Sequence, residues 1–187
     1  MNHYAEFLSR EDCVLLQVDI QKVMLEPCVE ADQLRKNAAA LIEVAGLFKI
    51  PVFFSVHNTE KLGGFLPELL EKASRPSVHN KLEFSCFENE EIARAVSETG
   101  RNTLILAGLE THGCIFHTGA HALRLGYRVH VASDAVSSRS SLNHQVGLRR
   151  LEQAGAVISS TEMVIFELLN RAGTPEFRSA LPLLKTL

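Results

Sequence analysis

The stretch TLILA, residues 103–107, is apolar at almost every position and is followed at once by Gly108. A short run of this kind is typical of a β-strand that is covered on both faces, because a strand with one face in water alternates polar and apolar residues. The runs 13–18 and 52–56 have the same character. Three strands of this type predict a sheet with helices packed on both of its sides.

Weaker strand patterns lie at 77–81, 127–132 and 156–159. Helical patterns separate the strands, at 31–49, 89–98, 114–125, 142–153 and 161–169. Strands that alternate with helices indicate a parallel sheet with right-handed crossovers. We therefore predict a three-layer, doubly wound, Rossmann-like α/β fold, in which a six-stranded parallel sheet carries helices on both faces.

Length and composition limit the classes of protein. The chain has 187 residues without a repeat or a linker-like stretch, which favours one domain over residues 1–187. Its 19 basic and 22 acidic residues give a net charge of −3, so no basic surface for nucleic acid is expected. No apolar run approaches the ~20 residues of a membrane span, and the N-terminal MNHYAEFLSRED has no signal-peptide core.

The four cysteines carry information on the compartment. Cys13, Cys28, Cys86 and Cys114 are widely spaced and form no CxxC pair, so neither a disulfide framework nor a zinc ribbon is indicated. In a chain of this size they are expected to be reduced thiols, which predicts a cytoplasmic protein.

Chemically active side chains follow three of the predicted strands. Asp19 follows the first strand, Lys81 ends the third, and Cys114 comes shortly after the fourth. Ligands of doubly wound sheets bind beyond the carboxyl ends of the strands, so these side chains are expected at one edge. A helix start should lower the pKa of the Cys114 thiol, with Asp19 as general base and Lys81 as a stabilising charge. Together they predict an activated nucleophile.

Each of these residues also has an ordinary structural interpretation. A cysteine among small residues is often inert, an Asp at a strand end often caps a loop, and a Lys is usually a solvated charge. On that interpretation the chain is a non-catalytic binding or scaffold protein. A metal-dependent enzyme is a further alternative, since His117 and His121 stand four residues apart on one helix and Cys114 lies three before His117.

Four motifs give the chain a resemblance to a known family. They are LLQVDIQ at 15–21, NKLEFSCF at 80–87, LAGLETHGCI at 106–115 and VHVASDAVSSRS at 129–140. In this order and spacing they resemble the isochorismatase-like cysteine hydrolases, which include nicotinamidases and N-carbamoylsarcosine amidase. The resemblance covers a core of about residues 12–170 and is greatest to the isochorismatase-domain-containing group of uncharacterised proteins.

The resemblance implies roles for individual residues. Asp19 would be the base, Lys81 its electrostatic partner and Cys114 the nucleophile. A non-proline cis peptide would join Leu109 to Glu110, whose N–H would form an oxyanion hole with the N–H of Cys114. The implied reaction is hydrolysis of a small amide-like substrate through a thioester, without a cofactor. The family also implies a homo-oligomer.

The chain departs from the nicotinamidase pattern near the end of the second strand. Nicotinamidases carry a metal-binding Asp-x-His there, whereas this chain has Ser55 two residues before His57. We therefore predict no metal site and leave the substrate open. His57 and Gln21 remain candidate substrate contacts, because both lie near the expected edge of the sheet.

Overall fold

The sheet has the predicted architecture. A computed structural model describes residues 7–187, so residues 1–6, which open the stretch expected to lack a signal peptide, lie outside the described residues. Six parallel strands pair in the order β3-β2-β1-β4-β5-β6. Their bounds are β1 Cys13–Val18, β2 Val52–His57, β3 Ser77–Lys81, β4 Thr103–Leu109, β5 Arg128–Ser137 and β6 Val157–Ser159. The predicted three-layer α/β fold is confirmed.

Helices cover both faces of the sheet. Their bounds are α1 Lys22–Leu25, α2 Ala31–Leu47, α3 Thr59–Leu62, α4 Pro67–Leu70, α5 Glu90–Ser97, α6 Phe116–Arg124, α7 Ser141–Ala154, α8 Thr161–Leu169 and α9 Pro175–Leu184. Helices α2, α8 and α9 pack on one face, and α5, α6 and α7 pack on the other. None of the helices in residues 7–187 is both long and apolar enough to pass through a bilayer.

Two hydrophobic cores follow from the alternation of side chains along the central strands. In β1, Val14 and Leu16 point into the core beneath α5 and α6, whereas Cys13 and Leu15 point into the core beneath α2 and α8. All four are at most 1% exposed. Burial of such a side chain stabilises the fold by roughly 1.5–3 kcal/mol, so β1 must stay at the centre of the sheet.

The fifth strand is longer than the predicted 127–132. It runs from Arg128 to Ser137, because the register with β4 shifts between Leu106 and Gly108 and pairing then continues. Ser133 and Asp134, which come directly after the predicted strand, therefore lie within β5. Asp134 instead accepts hydrogen bonds from the backbone N–H and hydroxyl of Thr161, at 2.7 and 2.8 Å, and so caps the start of α8.

The helix predicted over 114–125 begins later than expected. A π-helical turn covers Thr111–Ile115, in which Gly113 has non-helical dihedral angles, and α6 starts only at Phe116. Cys114 therefore lies in the tight turn between β4 and α6, and not in the first turn of a regular helix.

The apolar C-terminal segment packs on its own domain. It forms α9, in which Ala180 is fully buried, while Phe177, Leu183 and Leu184 pack against the core beneath α2 and α8. These side chains therefore serve the domain's own core.

Gly108 allows the two central strands to meet at the carboxyl edge. Its φ is +124°, and a Cβ at this position would lie 2.0 Å from the carbonyl oxygen of Val18. That oxygen belongs to the backbone of β1, which cannot move without disturbing the sheet. Only glycine fits here.

We expect Gly108→Ala to prevent folding or to cost at least about 4 kcal/mol of unfolding free energy, measured by urea denaturation. Gly126→Ala is the matched control, because Gly126 also has a positive φ, +91°, but nothing lies within 4 Å of its added Cβ. The control should lose only about 1–2 kcal/mol, the cost of the left-handed backbone. Equal losses in the two variants would contradict the steric explanation.

Candidate active site

The sheet topology brings the three predicted residues to one edge. Strands β1 and β4 are neighbours, so Asp19, which follows β1, faces the turn after β4 that carries Cys114. Lys81 is the last residue of β3 and reaches across β2 to the same place. Asp19, Lys81 and Cys114 are 0%, 1% and 5% exposed. The edge is the one at which doubly wound sheets bind ligands.

Asp19 and Lys81 form a fully buried ion pair. The Lys81 Nζ lies 2.6 Å from Asp19 Oδ2, and neither side chain has any exposed area. Nζ also donates to the carbonyl oxygen of Glu83 at 3.1 Å. Burial is the largest single effect and opposes the ammonium charge, but the Asp19 carboxylate together with the neighbouring Cys86 and Cys114 outweighs it, so the pKa of Lys81 is raised. The lysine therefore stays charged at neutral pH and keeps a positive charge beside the carboxylate.

Cys114 lies next to this pair. Its Sγ, an Asp19 carboxylate oxygen and a ring nitrogen of His57 are all within 4.8 Å of one another. Burial, followed by the negative charge of Asp19, raises the pKa of the Cys114 thiol to about 12, and Lys81 only partly opposes this. The expectation of a lowered pKa is therefore wrong. The thiol is protonated at rest, because it is buried beside a carboxylate and lies before the regular helix.

The turn between β4 and α6 has a distinctive backbone. The peptide bond between Leu109 and Glu110 is cis. The Glu110 carboxylate accepts hydrogen bonds from Nε and the backbone N–H of Arg139, at 2.9 and 3.1 Å. The side chain of Glu110 is thus tied to the segment after β5, and its carbonyl oxygen accepts from the backbone N–H groups of Gly113 and Ile115, at 2.9 and 3.2 Å, on either side of Cys114.

Gln21 is placed for a different task from the one predicted. It is fully buried, and its Nε2 donates to the carbonyl oxygens of His57 and Gly63 at 3.0 and 2.6 Å. Its Oε1 accepts from the backbone N–H of His57 at 2.7 Å. Because the amide is occupied by backbone groups, Gln21 holds the loop after β2 in place and is not available as a substrate contact.

His57 lies beside Asp19 and Cys114, with a ring nitrogen within 4.8 Å of an Asp19 carboxylate oxygen and of Cys114 Sγ. Its ring stacks on that of Phe84, with centroids 6.0 Å apart and planes 10° apart. Burial, followed by the charge of Lys81, lowers the pKa of His57, so the imidazole is neutral near pH 7. Its Nδ1 is buried and has no hydrogen-bond partner among the described residues. The ring can therefore offer a hydrogen bond to a bound molecule.

The predicted alternative metal site of Cys114, His117 and His121 does not form. Within residues 7–187, the one group of three metal-ligating side chains close enough to share an ion is Asp19, His57 and Cys114. His121 is instead directed to Ser85, with Nδ1 and Oγ 3.2 Å apart.

The group that is close together has the ligand types that zinc prefers. However, Lys81 and the hydroxyl of Ser55 already donate to the two oxygens of Asp19, at 2.6 and 2.7 Å. A cation at this place would have to compete with an ammonium that neutralises the carboxylate. The charges suit acid–base chemistry better than a metal centre.

Three further residues contact this site, and the sequence did not predict a role in it for any of them. Ser55 contacts Asp19, Cys86 contacts Ser55 with Sγ and Oγ 3.5 Å apart, and Phe84 covers His57. Ser55 gave a usable signal, since it is the one hydroxyl in the apolar run of β2. Cys86 and Phe84 lie in the segment after β3, whose path no pattern predicts.

The ion pair determines how charge-removing substitutions change the reactivity of Cys114. We expect Asp19→Asn to lower the pKa of the thiol, because the opposing carboxylate is lost while the Lys81 ammonium remains. In Lys81→Met the pKa of the Cys114 thiol should be at least as high as in the unmodified protein, because the ammonium that opposes the carboxylate is lost. The measurement is the pH dependence of Cys114 alkylation by iodoacetamide, followed by peptide mass spectrometry. A pH dependence of alkylation in Asp19→Asn that is unchanged or moved to higher pH would contradict a thiol whose ionisation is opposed by the Asp19 carboxylate.

Comparison with known proteins identifies the family. The isochorismatase domain model matches residues 13–163. The secreted isochorismatase effector Isc1 of Phytophthora sojae (strain P6497) is 36% identical over 176 residues, which are 92% of this chain and 84% of that protein. Isochorismatase domain-containing protein 2B of Mus musculus is 33% identical over 177 residues, 94% of this chain and 82% of that one.

Solved structures agree with this assignment. The MAR1 ribonuclease of Caenorhabditis elegans superposes with a TM-score of 0.91 at 26% identity, over 96% of this chain and 93% of that one. The YcaC protein of Escherichia coli, described as an octameric hydrolase of unknown specificity, has a TM-score of 0.86 at 26% identity, over 96% and 88% of the two chains. This chain therefore belongs to the isochorismatase family of hydrolases.

Proposed function

We propose that the protein is a cysteine-dependent hydrolase of a small amide-like substrate, with Asp19, Lys81 and Cys114 as its catalytic groups. The observation that carries the proposal is the buried Cys114 thiol beside a carboxylate that is itself paired with an ammonium at 2.6 Å. A thiol is a strong nucleophile once its proton has been removed, and a carboxylate within reach can remove it.

The first half of the reaction forms a thioester. Cys114 Sγ attacks the carbonyl carbon as its proton passes to Asp19, and the carbonyl π electrons move to the oxygen. The backbone N–H groups of Glu110 and Cys114 would donate to this oxyanion. The oxyanion then collapses, the C–N bond breaks, and the leaving amine takes the proton from Asp19. The acyl group remains on Cys114, and Asp19 is again a carboxylate.

Water completes the cycle. Asp19 removes a proton from a water molecule, whose oxygen attacks the thioester carbon. The C–S bond of the resulting intermediate breaks, the acid is released, and the proton on Asp19 returns to the sulfur of Cys114. Lys81 keeps its proton throughout, and its charge stabilises Asp19 each time the carboxylate is regenerated.

His57 and Gln21 support the site in different ways. The neutral ring of His57 has a buried Nδ1 without a partner among the described residues, which suits a hydrogen bond to substrate. Gln21 acts through the backbone of His57 and Gly63, which it holds by three hydrogen bonds. We therefore propose His57 as the substrate contact and Gln21 as its support.

The proposal also covers the assembly and the cellular location of the protein. We propose a homo-oligomer, supported by the octameric E. coli neighbour. A cytoplasmic location stays a prediction from the free cysteines, and one relative is described as secreted.

A non-catalytic binding protein is the main alternative to the proposed hydrolase, but a binding role gives no reason to bury an ion pair beside a thiol.

The experiment is a screen of small amides, carbamoyl compounds and nitriles against the purified protein, Cys114→Ala and Cys114→Ser. An RNA oligonucleotide is included, because one structural neighbour carries the name ribonuclease. We expect turnover of an amide-like compound, with a loss of at least about 10³-fold in both variants, since the covalent step is removed. Mass spectrometry should detect an acyl adduct on the peptide that contains Cys114.

Two results would overturn the proposal. Turnover that persists in Cys114→Ala would exclude the thioester, and cleavage of RNA without amide hydrolysis would assign another reaction. The matched control is Cys13→Ala, which removes a buried thiol at the amino end of β1, away from the site, and should leave turnover unchanged.

A further inference from the structure

We infer that Ser55 and Cys86 form a buried hydrogen-bonded chain that holds the Asp19 carboxylate in place and favours its charged form. This inference rests on the proposed function, in which Asp19 is the base. Neither residue is assigned contact with the substrate or the reacting atoms, so both are positioning residues.

The inner link joins Ser55 to Asp19 in two ways. The hydroxyl of Ser55 donates to Asp19 Oδ1 at 2.7 Å, and the backbone N–H of Asp19 donates to the carbonyl oxygen of Ser55 at 2.9 Å. Both residues are fully buried. Asp19 has a φ of +55°, a left-handed conformation that few non-glycine residues adopt. Ser55 therefore holds both the backbone and the side chain of the base in this orientation.

The outer link comes from Cys86. Its Sγ donates to Ser55 Oγ over 3.5 Å, and the residue is fully buried. Burial raises the pKa of the Cys86 thiol, so it keeps the proton that it donates. The backbone N–H of Cys86 donates to Thr118 Oγ1 at 3.0 Å, which anchors the residue to α6.

The chemistry of the three groups sets the direction of the chain. An ionised carboxylate accepts hydrogen bonds and donates none, so the single proton of Ser55 must point to Asp19. Ser55 Oγ then has lone pairs to accept from Cys86. The order is Cys86 to Ser55 to Asp19, and each donor is used once.

The consequence is a carboxylate in which each oxygen already accepts one hydrogen bond. Ser55 donates to Oδ1 and Lys81 donates to Oδ2. A carboxylate offers about four lone-pair positions, so those that remain are free for the proton of Cys114. A hydrogen bond to a charged group also favours the charged form, so loss of the Ser55 hydroxyl would remove one contact that stabilises the carboxylate.

The test compares Ser55→Ala with Ser55→Thr, which keeps the hydroxyl. The readout is the carbon NMR shift of the Asp19 carboxyl, in protein labelled at aspartate, titrated over the pH range in which circular dichroism shows a folded chain. We expect protonation of Asp19 about one pH unit higher in Ser55→Ala than in the unmodified protein, since hydrogen bonds to charged groups are of that strength. Ser55→Thr should titrate as the unmodified protein does.

A second pair covers the case in which a variant at position 55 fails to fold. Cys86→Ala should move the midpoint of the same titration to higher pH by a smaller amount. Cys86→Ser keeps a hydrogen-bond donor, so its titration should match that of the unmodified protein. Identical titration curves in Ser55→Ala and the unmodified protein would overturn the inference, as would identical curves in the Cys86 pair when that pair is used.

The NMR readout needs no substrate, so it separates this inference from the proposed function. A shifted titration in a protein that hydrolyses no amide would retain the chain and reject the hydrolase. Amide hydrolysis together with unshifted titrations would retain the hydrolase and reject the hydrogen-bonded chain. Where turnover is found, the acid limb of the pH profile of kcat/KM should move upward with the NMR midpoint in Ser55→Ala.

Discussion

The buried ion pair between Lys81 and Asp19 is the constraint on which the site depends. Taking two charges out of water costs several kcal/mol for each, and mutual attraction repays this cost only with close contact and further hydrogen bonds. Both conditions are met here: Nζ and Oδ2 are 2.6 Å apart, and Ser55 and the carbonyl of Glu83 take up further hydrogen-bonding capacity. A pair of apolar residues would fill the same space at no such cost, which argues for retention of the pair by function.

The same pair determines the protonation state of the Cys114 thiol. A thiol in an apolar pocket is already reluctant to ionise, and the Asp19 carboxylate makes it more so, while Lys81 is largely engaged by Asp19. The site therefore resembles a general-base arrangement more than a preformed thiolate–cation pair. In the proposed reaction, proton transfer from Cys114 to Asp19 accompanies bond formation, so the sulfur would become nucleophilic only when a carbonyl carbon is held against it.

The sequence was sufficient to predict the layers of the fold and the placement of Asp19, Lys81 and Cys114 at one edge of the sheet. Apolar runs such as 103–107 indicate strands covered on both faces, and the carboxyl ends of parallel strands meet at one edge, so Asp19 and Cys114 had to lie near one another. Alternation along the chain carries this information, and it needs no knowledge of loops.

The features that sequence could not supply depend on distances between elements remote in the chain. The pKa of Cys114 moves in the direction opposite to the predicted one, because the sign depends on how near Asp19 lies and on where α6 begins. The sequence around Gln21 is compatible with a side chain that contacts either a ligand or backbone groups. Only the path of the loop at Gly63 shows that the Gln21 amide bonds to the backbone. The extension of β5 likewise results from a register shift against β4.

The most direct test of this account is the infrared S–H stretching band of Cys114, taken as the difference between the spectra of the unmodified protein and Cys114→Ala at pH 7. The account predicts an S–H band in that difference, since a thiol with a pKa of about 12 is protonated there. An absent band, together with thiolate absorbance in the ultraviolet that Cys114→Ala lacks, would show that the sulfur is already ionised and that Asp19 has no proton to remove.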